Sequence, residues 1–227
     1  MSESKKIAGE YAASLVESGM KVGLGTGSTA YFMVLKLGER VQNEGLNIVG
    51  IPTSKQTEQL AKDVGIPLTN FFDTPRLDIC IDGADEFDPN LQLIKGGGGA
   101  LLREKLVASI ADQLIIIADE RKQVDTLGAF PLPVEVNKFG WELTFRRFKD
   151  LGYEPELRME GEKALLTDNH NFIFDCKMGS ISEPASLHQK LKAMLGVVET
   201  GLFIDMADKV ILAKKDGKLE FIERKQA

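Results

Sequence analysis

The sequence is poor in the residues that build metal centres and disulfide frameworks. Its 227 residues include two cysteines, two histidines and one tryptophan. Cys80 and Cys176 are too few for a disulfide scaffold, which favours a reducing, cytoplasmic environment. His170 and His188 lie far apart without neighbouring ligand residues, so no metal site is expected.

Positive charge and long apolar runs are also scarce. Lysine and arginine total 28 against 34 acidic residues, which gives a net charge of -6. A nucleic-acid-binding surface is therefore not expected, and an anionic ligand needs a locally placed cation. No run approaches the roughly 20 apolar residues of a membrane helix. The first six residues lack the apolar core of a signal peptide, so no membrane partner is expected.

What the chain does have is enough apolar sequence for a core, since 43% of it is hydrophobic. Up to Phe130 the spacing of apolar residues predicts alternating helices and strands. Helices are predicted over 3–18, 29–41, 53–65 and 100–111. Strands are predicted over 20–24, 46–51, 67–71, 77–81 and 114–118. These strands are apolar without alternation, which is typical of a parallel sheet covered on both faces.

The pattern changes after Phe130, where Pro131-Leu132-Pro133 predicts a domain joint. Strands at 134–136, 155–159, 172–176 and 197–203 and helices at 140–151 and 184–195 give a β-α-β-β-α-β order, which is ferredoxin-like. A hairpin over 210–222 is predicted to return to the first domain. The predicted fold is α/β: a Rossmann-like parallel-sheet catalytic domain (1–130 and 207–227) and a smaller ferredoxin-like α+β domain (131–206).

A glycine loop, Gly23-Leu24-Gly25-Thr26-Gly27-Ser28-Thr29, follows the first strand and opens a helix. Backbone amides at such a helix N-terminus favour an anion. Ser28 stands where a dinucleotide fingerprint needs glycine, the acid after the next strand is missing, and so is the lysine of a nucleotide P-loop. A small phosphate therefore fits better than NAD or ATP. A tight turn without a ligand is the alternative.

Two further clusters surround a four-glycine run. Asp82-Gly83-Ala84-Asp85-Glu86 follows a predicted strand, where two carboxylates can converge on a ligand or form a solvated turn. Lys95 precedes the glycines, and Glu104 lies about one turn inside the next helix. Such a pair can supply a base and a cation for a developing oxyanion, although an ordinary surface ion pair is the alternative for Glu104.

Three lysines carry weaker signals. Lys122 follows the buried strand at 114–118 and either reaches the same edge or belongs to a solvated loop. Lys5 and Lys6 are expected to be solvated, with the option that one leans over the glycine loop.

Four motifs together resemble the type A ribose-5-phosphate isomerase family in order and spacing. They are Gly25–Thr29, Asp82–Glu86, Lys95–Gly98 and Arg103–Lys105. Phe130–Val136 and Gly196–Phe203 are similar to that family too, so the resemblance covers nearly the whole chain.

The resemblance implies interconversion of D-ribose 5-phosphate and D-ribulose 5-phosphate in the pentose phosphate pathway, without metal or organic cofactor. It implies that Glu104 moves a proton between C2 and C1 through an enediolate, with Lys95 and the glycine backbone stabilising the enediolate oxygen. Asp82 and Asp85 would hold hydroxyls and assist ring opening. The implied substrate-binding residues also include Thr26, Gly27, Ser28, Thr29, Gly83, Ala84, Gly96, Gly97, Gly98 and Lys122. The implied partners are a small sugar phosphate and further copies of the chain, in a cytoplasmic homodimer or homotetramer.

Two other functions are alternatives. A sugar-phosphate sensor of a regulator usually follows a DNA-binding helix pair, and a phosphate loop that begins at Gly23 leaves no room for one. A nucleotide-dependent oxidoreductase is disfavoured by Ser28 and by the missing acid.

Overall fold

The structure is a computed structural model that describes residues 3–224. It divides into two compact units. The first contains the chain up to Ala84, Arg103–Gln123 and the chain from Met206 onward. The second contains Asp85–Leu102 and Val124–Asp205.

The helices and strands alternate along most of the described chain. The helices are α1 (Glu3–Ser14), α2 (Ala30–Glu44), α3 (Lys55–Asp63), α4 (Leu101–Ala108), α5 (Trp141–Asp150) and α6 (Pro184–Lys192). The first strands are β1 (Lys21–Leu24), β2 (Val49–Pro52), β3 (Ile79–Asp82), β4 (Glu86–Phe87), β5 (Leu93–Ile94), β6 (Leu114–Asp119) and β7 (Leu132–Val136). The remaining strands are β8 (Pro155–Leu157), β9 (Met159–Glu160), β10 (Lys163–Ala164), β11 (Phe172–Cys176), β12 (Val197–Thr200), β13 (Leu202–Phe203), β14 (Lys209–Ala213) and β15 (Leu219–Glu223).

The first unit is built on a six-stranded sheet in the order β15-β14-β6-β3-β1-β2. The strands from β14 to β2 are parallel, and only β15 runs antiparallel, at the edge. All residues of β3 and β6 are buried, as predicted for a sheet covered on both faces. Because β2 lies on one side of β1 and β3 on the other, the strand order reverses between β1 and β3. Open α/β sheets bind ligands at the carboxyl ends of strands beside such a reversal.

Helix α1 is shorter than predicted because another helix closes it. The Arg40 guanidinium, on α2, donates to the carbonyls of Ala13 (2.6 Å) and Val16 (2.8 Å). The chain also tightens here, since the amides of Leu15 and Val16 donate to the carbonyls three residues back, those of Ala12 (3.2 Å) and Ala13 (3.3 Å). The helix therefore ends at Ser14 and not near Ser18 as predicted.

Two other predictions in this unit need correction. The segment 67–71 is not a strand, since only Leu68 forms an isolated parallel bridge, to Gly50. Helix α3 begins at Lys55 and not at 53 as predicted, because Ser54 caps it: the Ser54 hydroxyl accepts from the Thr57 amide at 3.0 Å. The hairpin of β14 and β15 joins the parallel sheet as predicted.

The second unit contains a four-stranded antiparallel sheet in the order β12-β7-β11-β8. Numbered within this unit, the order is 4-1-3-2, with α5 and α6 as the connecting helices, which confirms the ferredoxin-like prediction. Phe148 and Phe174 are fully buried in its core, and their rings pack edge to face at 5.6 Å.

The predicted strand over 197–203 is two strands in two sheets. β12 pairs with β7, whereas β13 joins β5 and β4 in a three-stranded sheet. The break falls at Gly201, where a Cβ would overlap the Lys95 carbonyl and the Pro133 ring. This small sheet joins the segment 85–102 to the second unit. The segment 124–130 belongs to the second unit as well. The sequence-based prediction placed both segments in the first domain.

Candidate active site

The structure distributes the predicted site residues over both units. The first contains Thr26, Gly27, Ser28, Thr29, Asp82, Gly83, Ala84, Glu104 and Lys122. The second contains Asp85, Lys95, Gly96, Gly97 and Gly98. Each group is described within its own unit.

Asp82 joins the two loops that follow β1 and β3. Its Oδ1 accepts hydrogen bonds from the backbone amides of Thr26 (2.9 Å) and Gly83 (2.7 Å), and its side chain is buried. The approach requires glycine at position 25, because a Cβ there would lie 2.5 Å from the same oxygen. One carboxylate oxygen is thereby fixed in position at the strand reversal.

Thr26 directs its hydroxyl into the protein. Thr26 Oγ1 lies 2.7 Å from Thr53 Oγ1 and 3.0 Å from Thr57 Oγ1, and it donates to Ser54 Oγ at 2.8 Å. With its amide on Asp82, Thr26 holds the loop in shape. Contact between Thr26 and a substrate remains a prediction.

The exposed part of the glycine loop contacts Lys5, one of the two lysines that the sequence analysis left as either solvated or leaning over this loop. Gly27 and Ser28 are exposed, and Gly27 has a φ of +102°. Lys5 Nζ, in the first turns of α1, donates to Ser28 Oγ at 2.7 Å. The position of α1 in the tertiary fold therefore brings a cation to the loop that was predicted to bind phosphate. Thr29, at the N-cap position of α2, is buried and makes no side-chain capping bond.

Glu104 lies in the first turn of α4 and is 4% exposed. A carboxylate so deeply buried is not the solvated surface pair that was its alternative interpretation. Helix α4 packs closely on β1, since a Cβ on Gly23 would lie 2.9 Å from Val107 Cγ1. Glu104 precedes Val107 by one turn. The first turn of a helix that returns to a parallel sheet lies near the carboxyl ends of the strands.

Lys122 belongs to a short 3-10 turn, Glu120–Lys122, directly after β6. Asp119 begins this turn and accepts from the amide (3.1 Å), the Nε (2.9 Å) and the Nη2 (2.9 Å) of Arg121. The Arg121 guanidinium lowers the pKa of the Asp119 carboxyl, more than burial raises it. Lys122 is half-buried, and its strand neighbours β3.

In the second unit Asp85 holds the glycine run. Its Oδ2 accepts from the Gly97 amide at 2.7 Å. A Cβ on Gly97 would lie 2.6 Å and 2.9 Å from the two carboxylate oxygens. Only glycine lets the backbone approach this carboxylate, which explains one of the four consecutive glycines.

Lys95 is 3% exposed and lies directly after β5. Its amide donates to the Gly201 carbonyl at 2.8 Å, and its ammonium lies 5.4 Å from the centroid of the Phe203 ring. Neither Gly201 nor Phe203 was assigned a role from the sequence. Their place in a stretch that resembles the family was the available signal.

Glu86 supports the fold of its unit. Its carboxylate accepts from the amides of Gly128 (2.7 Å) and Phe130 (2.5 Å), and the residue is buried. Both oxygens of the Glu86 carboxylate are thus engaged with backbone amides, whereas the amide bonds described for Asp82 and Asp85 use one oxygen each.

Two kinds of structural feature are absent from residues 3–224. No group of three or more histidine, cysteine or acidic side chains is arranged to hold a metal ion there. No helix in this part of the chain is long and apolar enough to cross a membrane. His188 Nδ1 lies 2.7 Å from Thr200 Oγ1, which gives this histidine a structural partner.

Comparison with known proteins connects this geometry with one family. The family model of ribose 5-phosphate isomerase A (phosphoriboisomerase A) matches residues 49–217 of this sequence. Ribose-5-phosphate isomerase A of Bacillus mycoides is 54% identical over 222 residues, covering 97% of this chain and 100% of that protein. Ribose-5-phosphate isomerase A 1 of Oceanobacillus iheyensis is 53% identical over 93% of this chain and 95% of its own length.

Solved structures are similar over the same length. Ribose 5-phosphate isomerase from Plasmodium falciparum is 37% identical with a TM-score of 0.95, and each chain is covered completely. A D-ribose-5-phosphate isomerase solved in complex with phospho-erythronic acid is 40% identical with a TM-score of 0.94, over 98% of both chains.

Proposed function

The chain belongs to the ribose-5-phosphate isomerase A family, and we propose that Glu104 is the base of its reaction. The enzyme interconverts D-ribose 5-phosphate and D-ribulose 5-phosphate through an enediolate, as an aldose-ketose isomerase of the pentose phosphate pathway. The observation that carries the role of Glu104 is its burial in the first turn of α4, on a helix packed against β1.

The chemistry needs a carboxylate that is fixed in position. In the open-chain aldose the base removes the proton from C2, and the electron pair moves toward the C1 carbonyl oxygen to form the enediolate. The C2 hydroxyl proton then passes to O1, and the same carboxyl group returns the abstracted proton to C1, which leaves a hydroxyl at C1 and the ketone at C2. A general base works only within hydrogen-bond reach of the proton that it moves, so its helix has to hold it there.

Lys95 and the backbone of Gly96, Gly97 and Gly98 stabilise the enediolate oxygen in this proposal. A buried ammonium beside preorganised amides interacts more strongly with developing charge than the same groups in water. The burial of Lys95 supports the assignment. These groups supply the charge stabilisation, so the proposed reaction uses no metal or organic cofactor.

Asp82 and Asp85 hold substrate hydroxyls and assist ring opening in this proposal. In each carboxylate one oxygen accepts backbone amides, at Thr26 and Gly83 for Asp82 and at Gly97 for Asp85. These bonds orient the carboxylates and support a role in positioning the sugar. Gly83 and Ala84 are proposed to contact the substrate beside them.

The substrate phosphate is proposed to bind at Gly27, Ser28 and Thr29, with Lys122 as a further contact. The hydrogen bond from Lys5 to Ser28 supports this placement, because it brings a cation to the exposed part of the loop of an acidic protein.

The test is an isomerase assay on ribose 5-phosphate with a chelator present, which follows the appearance of ketose. Wild type should be active, and Glu104→Gln should lose several orders of magnitude in kcat but still bind the sugar phosphate. Glu58→Gln is the matched control, because Glu58 pairs with Lys62 on the surface of α3. Near-normal turnover by Glu104→Gln would refute its role. Binding without turnover by wild type would favour a sensor.

We also propose that the enzyme assembles as a homodimer or homotetramer and works in the cytoplasm. Apolar side chains on the second unit support assembly, since Phe139 is 94% exposed and Leu195 81% exposed. Both cysteines are buried thiols, in keeping with a reducing compartment. Light scattering after size-exclusion chromatography measures the assembly, and a monomeric mass at micromolar concentration would contradict it.

A further inference from the structure

A single arginine in the second unit holds the backbone of the glycine run from the side opposite Asp85. Arg158 lies between β8 and β9, and its Nη1 donates to the carbonyls of Gly96 (2.8 Å) and Gly97 (3.1 Å). We propose that Arg158 is a positioning residue of the isomerase, which fixes the orientation of the two peptide groups that follow Gly96 and Gly97.

Peptide geometry gives these two bonds their consequence. In a trans peptide the carbonyl and the amide of the next residue point in opposite directions. When Arg158 holds the Gly96 carbonyl, the Gly97 amide points away from it, and that amide donates to Asp85 at 2.7 Å. When Arg158 holds the Gly97 carbonyl, the Gly98 amide also points away from the guanidinium. One side chain therefore sets the direction of two amides in the run.

The guanidinium is itself held in place. Arg158 Nε donates to Asp175 Oδ2 at 2.8 Å and Nη2 donates to Oδ1 at 2.5 Å, a bidentate pair between largely buried side chains. The Arg158 amide donates to the Ile173 carbonyl, and its carbonyl accepts from the Leu165 amide, both at 2.9 Å. The planar fork suits this double task, because a lysine ammonium cannot hold a carboxylate bidentately and two carbonyls as well.

The glycine run needs such a support. Glycine has the widest choice of backbone conformations, so four in sequence populate many arrangements unless tertiary contacts select one. Gly96 already has a φ of +103°. Arg158 holds both peptide groups by their carbonyls, and Asp85 holds the first of them from the other side through the Gly97 amide. Arg158 thereby acts through the backbone and not by touching substrate.

The inference rests on the proposed function of the glycine run, and the first test is kinetic. Arg158→Lys should lower kcat about 10- to 100-fold, since a misplacement of about 1 Å can cost that much, while KM changes less. Lys177→Met is the matched control. It removes an exposed ion pair between Lys177, directly after β11, and Glu156 on β8, close in sequence to Asp175 and Arg158. Its kcat should equal that of wild type. In Arg158→Ala, millimolar guanidinium should restore part of kcat, and it should not do so in Glu104→Gln.

The second test observes the amides without substrate. The protein has 22 glycines, so spectra of protein labelled with [15N]glycine report them individually. In Arg158→Lys the Gly97 and Gly98 resonances should shift or broaden, while that of Gly45, at the end of α2, stays in place. Lys177→Met should leave all three unchanged.

The outcomes separate this inference from the proposed function. Inactive wild type, or an active Glu104→Gln, would contradict the function itself. With those two as expected, a wild-type kcat in Arg158→Lys overturns the positioning role. A lowered kcat with unmoved Gly97 and Gly98 resonances overturns it as well. If Arg158→Ala does not fold, Arg158→Lys decides.

Discussion

The packing of α4 on β1 predicts that Gly23→Ala damages catalysis more than stability. The added Cβ would lie 2.9 Å from Val107 Cγ1 and 2.7 Å from Cys80 Sγ. An ordinary carbon contact is about 3.4 Å or longer, so Val107 has to retreat by about 0.5 Å or more. Because Glu104 lies one turn away on the same short helix, it moves with Val107. Displacements of this size at a catalytic base cost about 10- to 100-fold in rate.

The stability cost of the same change is smaller. Overpacking of a core costs about 1–3 kcal/mol, and in a protein of this size each kcal/mol lowers Tm by about 2–4 °C. Kinetics at 25 °C therefore examine a folded enzyme. We expect a kcat lowered about 10- to 100-fold, with Tm lower by a few degrees.

A neighbouring glycine supplies the control. In Gly50→Ala, on β2, the new Cβ would lie 2.6 Å from Leu24 Cδ1, the end of a flexible side chain. This change strains the same sheet without touching α4, so kcat should remain near that of wild type. The double variant Gly23→Ala/Val107→Ala should regain part of kcat. Equal kcat in Gly23→Ala and Gly50→Ala would refute the argument that the fit between α4 and β1 positions Glu104.

Three further predictions concern the first unit. Thr26→Val should lower the free energy of unfolding by about 1–3 kcal/mol, because the buried hydroxyls around it lose a partner. The KM for ribose 5-phosphate should stay within twofold. A large rise in KM would instead show a substrate contact. Lys5→Gln should raise KM about fivefold through the loss of about 1 kcal/mol of charge interaction, less so at high salt, and Lys6→Gln should not; equal effects of the two would contradict a local role. Asp119→Asn should cost about 1 kcal/mol at pH 7. Because Arg121 lowers the folded-state pKa of Asp119, that contribution is present above the unfolded pKa of about 3.9 and is lost as pH falls through the folded pKa. A difference in urea unfolding that does not shrink as the pH is lowered below the unfolded pKa would contradict it.

Much of the fold followed from local patterns. The buried strands β6 and β11 were predicted almost residue for residue. A short, mostly apolar run rich in β-branched or aromatic residues favours a strand over a helix. The predicted strand at 67–71 was wrong: Pro67 and Leu68 approach β2 with a single bridge and no ladder. The division between units was harder to predict. The strands β4, β5 and β13 have two residues each and form only by pairing with one another in one small sheet.

The site divides in the same way. Glycine spacing and the acids after β3 marked the loops at the strand reversal, because a ligand loop needs particular residue types in a short stretch. The pairing of Lys5 with Ser28 spans 23 residues, and that of Arg158 with Gly96 spans 62. No local pattern encodes contacts over such distances.

The sequence by itself determined the fold class, the family resemblance and the candidate base, because apolar periodicity and four motifs in register are properties of neighbouring residues. Only the tertiary structure decided which polar groups serve the framework. It turned the Thr26 hydroxyl inward, engaged Glu86 with the amides of Gly128 and Phe130, and placed Arg158 behind the glycine run. The physical reason is that a buried hydrogen-bonding group must find a partner wherever the fold provides one, and that partner is set by packing in three dimensions.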